Sequence, residues 1–322
     1  MAEELEFRLL RVFVAVAEDL HFTRAAQRLF VAQQAVSRDV RRLEERLGVA
    51  LLDRGTRLVT LTPAGERLLG RARQLLALHD ETVREVRAGT APLLVNVVGQ
   101  KLTPALLLGA AREAAPTVEF AATFHARLEA AVPMLLAHRL HVAFGRHAGL
   151  PAHLTADLAQ RLVRWEPFAL LLPQGHRLST RNTVAFAELD GLPLCLHAGN
   201  QASPEWADAG TQLAAAGGAR LEPDHPPAYG VDELAHRMRR HGTPVLTLIS
   251  QPPVPGAVLL PIVEPVPLYP WSMLWRRDLR HPGLDALQAA ARRAARGQRW
   301  LDVPDGAWCP EPERRGITTA AR

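Results

Sequence analysis

The sequence predicts a mixed fold: an all-α head with a small β-wing, one long helix, and an α/β body. Three observations carry that expectation. Residues 22–47, FTRAAQRLFVAQQAVSRDVRRLEERL, spell two short amphipathic helices around a tight turn, with arginines along the second. Residues 62–89 open on Thr62-Pro63, a helix start, and run as one helix of roughly 27 residues to about Ala88. From Leu93 onward, short apolar runs alternate with helical patterns, the signature of strands joined by crossover helices.

The elements follow in order. Leu5, Leu9, Val12, Phe13 and Val16 recur at helical intervals and give a first helix beneath the pair that follows. Thr23 is the expected N-cap of the second helix, and Ala25, Ala26 and Leu29 form its close-packing face. The turn at 30–32 has no glycine, so contacts among Leu29, Val31 and Val36 are expected to hold the two helices. A third helix, about Gln33 to Leu47, places Val36, Val40, Leu43 and Leu47 inward and stops at Gly48. LLDRGTRLVTL at 51–61 then alternates as a β-wing bearing Arg54 and Arg57.

Thr62 caps the long helix and Pro63 takes its first position. Leu68, Ala72, Leu75, His79 and Thr82/Val83 make a 4-3-4 seam along it, which suits a partner helix and hence a homodimer, with packing on its own head as the alternative. In the body, LLVNVV, VEFAATF, LHVAF, FALLLP, LPLCLH and PVLTLIS read as strands. Helices are expected at Thr103–Ala115, Leu128–His138, near Val231–Arg239 and from Gly283 to Arg296, and the alternation implies parallel sheets. The stretch after Trp300 is rich in Pro, Gly and charge and reads as a loose tail.

Composition sets the outer limits. At 322 residues and 48% hydrophobic, the chain can build more than one core. No apolar run approaches the roughly 18 residues of a membrane span, and MAEELEF has no secretory character. A cytoplasmic protein is expected, nucleoid-associated when bound to DNA. Cys195 and Cys309 lie far apart without ligand spacing, so no disulfide framework or zinc site is readable, and a redox pair stays open as an alternative. Thirteen histidines include no His-Glu-x-x-His motif, and neither a metal nor a cofactor is expected. Net charge is +5, but residues 22–57 hold eight arginines against four acids, a local excess suited to a polyanion. Lys101 is the only lysine; the rest of the basic set is arginine. An enzyme is not expected, since no Gly-x-Ser-x-Gly, Walker A or Gly-x-Gly-x-x-Gly motif is present.

The stretch FTRAAQRLFVAQQAVSRDVRRLEERLGVALLDRGTRLVTLTPAGERLL resembles the signature region of LysR-type transcriptional regulators. The Ala-Ala pair, Val-x-Gln-x-Ala-Val-Ser-Arg, Arg-x-Leu-Glu, Leu-Gly-Val and Leu-Thr-x-Ala-Gly-Glu stand in register over about 60 positions. The body agrees in outline, with LLLPQGHRLS where the family often reads LVLPxxHPLA.

The resemblance implies a winged helix-turn-helix at 1–61 and a dimerising linker helix at 62–89. A two-lobed effector domain like periplasmic binding proteins would follow at 90–300, its lobes being 90–163 plus 268–300, and 164–267. Residues 301–322 remain the loose tail. It further implies binding to a double-stranded DNA operator, control by a small-molecule effector between the lobes, and a homodimer building a homotetramer. Three departures are visible: Ala32 where a capping Ser is common, Arg54-Gly55-Thr56 where Arg-Thr-Gly is commoner, and His141 where the third effector strand usually has an acid.

The expected DNA-binding residues are Thr23, Arg24, Gln33, Gln34, Ser37, Arg38, Arg41, Arg42, Arg54 and Arg57. Glutamine can read adenine edges, arginine can grip guanine, and flanking arginines hold phosphates without reading sequence. The expected effector residues are Gln100, Lys101 and Thr103 beside a helix N-terminus suited to an anion, with His125, His197 and Asn200 at strand ends. An alternative is a DNA-binding architectural protein whose body only oligomerises.

Overall fold

The computed structural model describes residues 5–54, 59–88, 91–99, 101–124, 128–150, 152–196, 203–223 and 230–314. The chain divides into two compact units, Met1–Ala91 with the tripeptide Ala137–Arg139, and Pro92–Leu136 with Leu140–Arg322.

The head contains α1 (Phe7–Asp19), α2 (Phe22–Arg28), α3 (Gln33–Leu47), β1 (Leu52–Arg54), β2 (Val59–Leu61) and α4 (Pro63–Ala88). Its core gathers Leu9, Phe13 and Val16 of α1 with Ala25, Val36, Val40, Leu43, Leu51 and Ala72, all essentially inaccessible. The cap of α2 differs from the sequence expectation. His21, not Thr23, is the N-cap, its Nδ1 accepting from the Thr23 and Arg24 backbone N–H groups at 3.2 and 3.4 Å. An imidazole on the preceding residue thus takes the acceptor position that a threonine hydroxyl was expected to fill. The turn closes through the Val31 N–H on the Ala26 carbonyl (3.0 Å), with Phe30 in the left-handed region at φ 55°. Leu29 packs on the core, whereas Val31 is 47% exposed and does not join that cluster.

Helix α3 ends as the sequence predicts, with Gly48 left-handed at φ 64°. Two side chains pin the wing: Glu44 Oε1 accepts from the N–H groups of Leu51 and Leu52 (2.9 and 3.2 Å), and Thr62 Oγ1 donates to the Ala50 carbonyl (2.8 Å). The same hydroxyl caps α4, accepting from the Gly65 N–H at 3.0 Å. Gly65 itself lies so close to the Leu51 carbonyl that a Cβ there would stand 2.1 Å from the oxygen. Along α4, Leu68, Leu69, Ala72 and Leu76 cover the head core, while Leu75 and Leu78 are exposed.

The body runs β3 (Leu93–Asn96), α5 (Thr103–Ala114), β4 (Phe120–Thr123), α6 (Leu128–Leu136), β5 (Val142–Gly145), α7 (Ala152–Thr155), β6 (Leu158–Pro173), β7 (Val184–Ala185), β8 (Pro193–Leu194), α8 (Pro204–Gly217), β9 (Arg220–Leu221), α9 (Val231–His241), β10 (Val245–Leu248), β11 (Ala257–Val263), β12 (Leu268–Arg276) and α10 (Pro282–Gly297). The expected parallel pairing holds for β3 with β4 and β5, for β7 with β11 and for β8 with β9, but not for the sheet as a whole. Strand β12 is antiparallel to both β5 and β6, and β10 and β11 are antiparallel to β6. The reason is β6: its first ten residues pair with β12 and its last six with β10 and β11, so one strand serves two sheet halves.

The expectation of a loose tail is also corrected. Trp308 bridges the edge of β12, its N–H donating to the Val266 carbonyl (3.0 Å) and its carbonyl accepting from the Leu268 N–H (2.8 Å). Its ring packs against Phe168 and Phe186, and Cys309 beside it is buried. One tryptophan supplies enough apolar surface to dock a segment that is otherwise polar. Residues 315–322 lie outside the described residues.

Candidate nucleic-acid interface and ligand cleft

Helix α3 separates its faces cleanly. Val36, Val40 and Leu43 are fully buried, and Asp39 beside them accepts from Arg8 at 3.0 Å. Opposite them, Gln34, Arg38, Arg41 and Glu45 follow at +4, +3 and +4 and are all exposed. Gln33 is exposed at the helix start, and Ser37 is half-buried on the flank. Among the described residues neither Arg38 nor Arg41 forms an ion pair. Arg42 does, donating to Glu6 at 3.0 Å, and Arg46 meets the same carboxylate at 2.7 Å. Glu6 therefore fixes the back edge of the helix and leaves the Gln34–Arg38–Arg41 stripe to solvent. Thr23 and Arg24 are exposed on α2, with Arg24 also donating to the Asp19 carbonyl. The start of α3 has no side-chain cap, as Ala32 predicts, so its first N–H groups have no side-chain partner. Nothing is described of the Arg54 side chain, and Arg57 lies outside the described residues, as does the wing tip carrying Gly55 and Thr56.

The body holds a cleft of about 860 Å³ between its sheet halves. Gly99, Lys101, Leu102 and Phe124 line it from one half; Leu196, the start of α9 (Gly230, Val231, Asp232 and Leu234), Val245–Thr247 and Gln251–Pro253 line it from the other. Of the expected effector residues, Lys101 alone among those described is at this surface. Thr103 is not: it is fully buried, and its hydroxyl donates to Glu166 Oε2 (2.7 Å) and accepts from Arg164 Nη1 (2.9 Å). The helix start lies where predicted, but this side chain turns inward to satisfy a buried carboxylate. Gln100, His125, His197 and Asn200 lie outside the described residues. Leu196 beside the expected His197 lines the second wall, but the contribution of α9 and β10 to it was not foreseen; Gly230 just before the helical stretch VDELAHRM was the available signal for it.

Glu166 sits where β6 passes from one half to the other. It is completely buried, and its carboxylate accepts from Thr103 on α5, from Trp271 Nε1 (2.7 Å) on β12 and from the Ser250 N–H (3.0 Å) after β10. Arg164 lies 3.6 Å away, stacked 4.6 Å over the Trp300 ring; burial lowers its pKa, and the Glu166 charge opposes that shift. His141 is a structural group here: Nδ1 accepts from the Leu94 N–H at 2.9 Å, the bond that an acidic residue at that position could equally accept.

A winged helix-turn-helix head and a two-half α/β body with an open cleft define the class of the molecule. The family model for the bacterial regulatory helix-turn-helix protein, lysR family, matches residues 7–66. The chain belongs to the LysR family. It is 34% identical over 204 residues to the HTH-type transcriptional regulator ShiR of Corynebacterium glutamicum (strain R), covering 58% of this chain and 63% of that one. It is 32% identical over 210 residues to BudR of Raoultella terrigena, covering 59% and 67%. Among solved structures, CbnR, a LysR family transcriptional regulator, superposes with a TM-score of 0.64 at 26% identity over 90% of this chain and 99% of that one. Full-length CbnR complexed with its target DNA gives 0.63 at 26% over 90% and 100%.

Proposed function

We propose that the protein is a ligand-responsive transcriptional regulator. Two copies joined through α4 set their α3 helices on a partly palindromic double-stranded operator, and a small molecule in the cleft shifts the halves of the body and so the DNA-bound assembly. The observation that carries this reading is the solvent-facing Gln34–Arg38–Arg41 stripe, unpaired among the described residues and backed by a fully buried apolar stripe. Such a face suits the major groove, glutamine to adenine and arginine to guanine or phosphate. Leu75 and Leu78, exposed on α4 at 41% and 49%, supply the apolar contact for a homodimer, and a tetramer would follow from body contacts. No described helix is long and apolar enough to cross a membrane; the reading places the protein in the cytoplasm, on the nucleoid when bound.

Gel shifts with the DNA upstream of the gene test the proposal. Wild type should bind one segment selectively. Arg41→Ala should weaken all sequences alike and flatten the salt dependence, whereas Gln34→Ala should lose about 1–3 kcal/mol of discrimination at one base position. Binding without sequence preference at every salt concentration would overturn it and favour an architectural role.

A further inference from the structure

The chemistry of the cleft walls says what kind of molecule fits there; this inference rests on the sensor reading above. The described surface is mainly hydrocarbon, with Leu102 and Phe124 on one side and Leu196, Leu234, Leu246 and Pro253 on the other. Lys101 is the one cation on it among the described residues, and it is the only lysine in the chain. Its backbone is held left-handed at φ 61°, with Val98, a β-branched residue, at φ 59° three positions earlier. Such conformations cost energy and persist where the surroundings impose them, commonly at ligand-gripping loops.

Two helices also begin at this surface. The twelve-residue α5 starts just after Lys101 with Leu102 as N-cap, and the eleven-residue α9 starts after Gly230; neither has a side-chain cap. Their first-turn N–H groups therefore add positive potential from both sides. Asp232 in the first turn of α9 works in the opposite sense. One carboxylate on the same surface tolerates one negative charge on Lys101 and penalises a second. The neutral polar side chains described on the far wall are already engaged: Thr247 donates to Gln251 Oε1 at 3.0 Å, and the Gln251 amide donates to the Pro252 carbonyl at 3.3 Å. A sugar or polyol would bury hydroxyls against hydrocarbon with few partners left, which is costly.

We propose that the cleft binds a small monocarboxylate with an apolar body, the charge at Lys101 and the start of α5, the body between Phe124 and Leu234. A volume of about 860 Å³ leaves ample room for such a ligand.

Calorimetric titration of the full chain tests this with named probes: trans-cinnamate and hexanoate, cinnamamide as the neutral match, adipate as a dianion, and glucose 6-phosphate. At least one of the two monocarboxylates should bind. If it is cinnamate, cinnamamide should bind at least tenfold more weakly. Lys101→Met should weaken the monocarboxylate at least tenfold and leave cinnamamide within twofold. The proposal is overturned if adipate or glucose 6-phosphate binds tighter than both monocarboxylates, if neither monocarboxylate binds, or if cinnamamide matches cinnamate. Equal losses of acid and amide in Lys101→Met, with an unchanged melting temperature, would also overturn it. Gel shifts run without any probe report separately on the regulator reading. Selective DNA binding with no monocarboxylate bound would remove this inference alone, and absent DNA binding would remove the other.

Discussion

Replacing Glu313 by alanine should destabilise the body, even though the residue belongs to a stretch whose composition reads as loose. The reason is Arg146 at the end of β5, whose side chain is 1% exposed. Its Nε donates to both Glu313 oxygens at 3.0 and 3.2 Å and its Nη2 to one of them at 3.0 Å. Nη1 meets Asp208 on α8, and Nη2 also meets the Glu311 carbonyl. Burial alone would lower the pKa of this guanidinium, but the hydrogen bonds and charges of Glu313 and Asp208 outweigh it and hold the value above its ordinary level. Breaking a buried pair by deleting one partner typically costs about 3–5 kcal/mol, because the other charge is left uncompensated. Asp208 remains in the variant but is 51% exposed, so it offsets only part of the loss. An expected cost of about 2–3 kcal/mol follows, or roughly 5–10 °C in melting temperature for a body of this size.

Thermal melting followed by tryptophan fluorescence reads the effect, because Trp308 leaves its site when the tail lets go. Glu313→Gln, which keeps one acceptor, should lose less. In an Arg146→Met background, where no buried cation remains, Glu313→Ala should be nearly silent, the non-additivity expected of a direct pair. A Glu313→Ala protein melting within 1 °C of wild type, or one equally destabilised with and without Arg146, would refute a docked tail.

Three further outcomes follow from single contacts. Gly65→Ala would push a methyl to 2.1 Å from the Leu51 carbonyl, and α4 must move off the wing to relieve it; a loss of at least about 2 kcal/mol in the head and weakened DNA binding are expected, checked by denaturant melts and gel shift. Cys309 is buried, and burial pushes its thiol up to about 11, with the Arg314 charge opposing the shift; at neutral pH it should label with iodoacetamide far more slowly in the native than in the unfolded chain, and Cys309→Ser should leave any peroxide response unchanged. His147 titrates below its ordinary value because burial disfavours the imidazolium, partly offset by Glu313. A depressed histidine contributes stability that is present above about pH 6.5 and lost as pH falls through the folded value, so His147→Gln should flatten the decline in melting temperature from pH 7 to 5.

The head was legible because each of its helices carries a one-sided apolar stripe, and periodicity reads such stripes directly. The body hid its elements wherever the stripe is absent. Helix α8 buries Trp206 and Leu213 but fills the rest of that face with Glu205, Ala209, Gly210 and Ala214, which give little contrast, and Gly210 reads as a breaker although a Cβ there would come within 2.9 Å of Leu196. Strand β12, LYPWSMLWR, is buried almost throughout, so it does not alternate, and Pro270 argues against a central strand. That proline is accommodated opposite Trp165, next to the register shift between Trp271 and Ser272. The site divides in the same way. The exposed face of α3 follows from one helix, whereas the cleft combines Lys101 with Leu234 and Thr247, more than a hundred positions apart, which no local pattern can bring together.

On the proposed reading, the contacts that join the two sheet halves are also what a bound ligand would have to rearrange. Both halves share β6, and a run of aromatic rings, Trp271 on Tyr269 on Phe168 on Trp308, continues the apolar core across the junction. Trp206 of α8 joins the same run, and polar ties stand beside it: Glu166 gathers donors from α5, β12 and the segment after β10, Glu205 on α8 accepts from the Leu128 N–H at the start of α6 (3.0 Å), and Arg146 reaches Asp208. Apolar packing resists sliding, because displaced side chains leave voids. Hydrogen bonds and ion pairs can re-form in a second geometry, provided the buried charges of Glu166 and Arg146 find partners there. A ligand that favours one arrangement by a few kcal/mol can then shift the population. Glu166→Gln should shift it without a ligand, since an amide cannot accept at every position where the carboxylate now does. A variant that leaves both the amide-exchange protection around Ser250 and the operator affinity at wild-type values would show that Glu166 merely fills space.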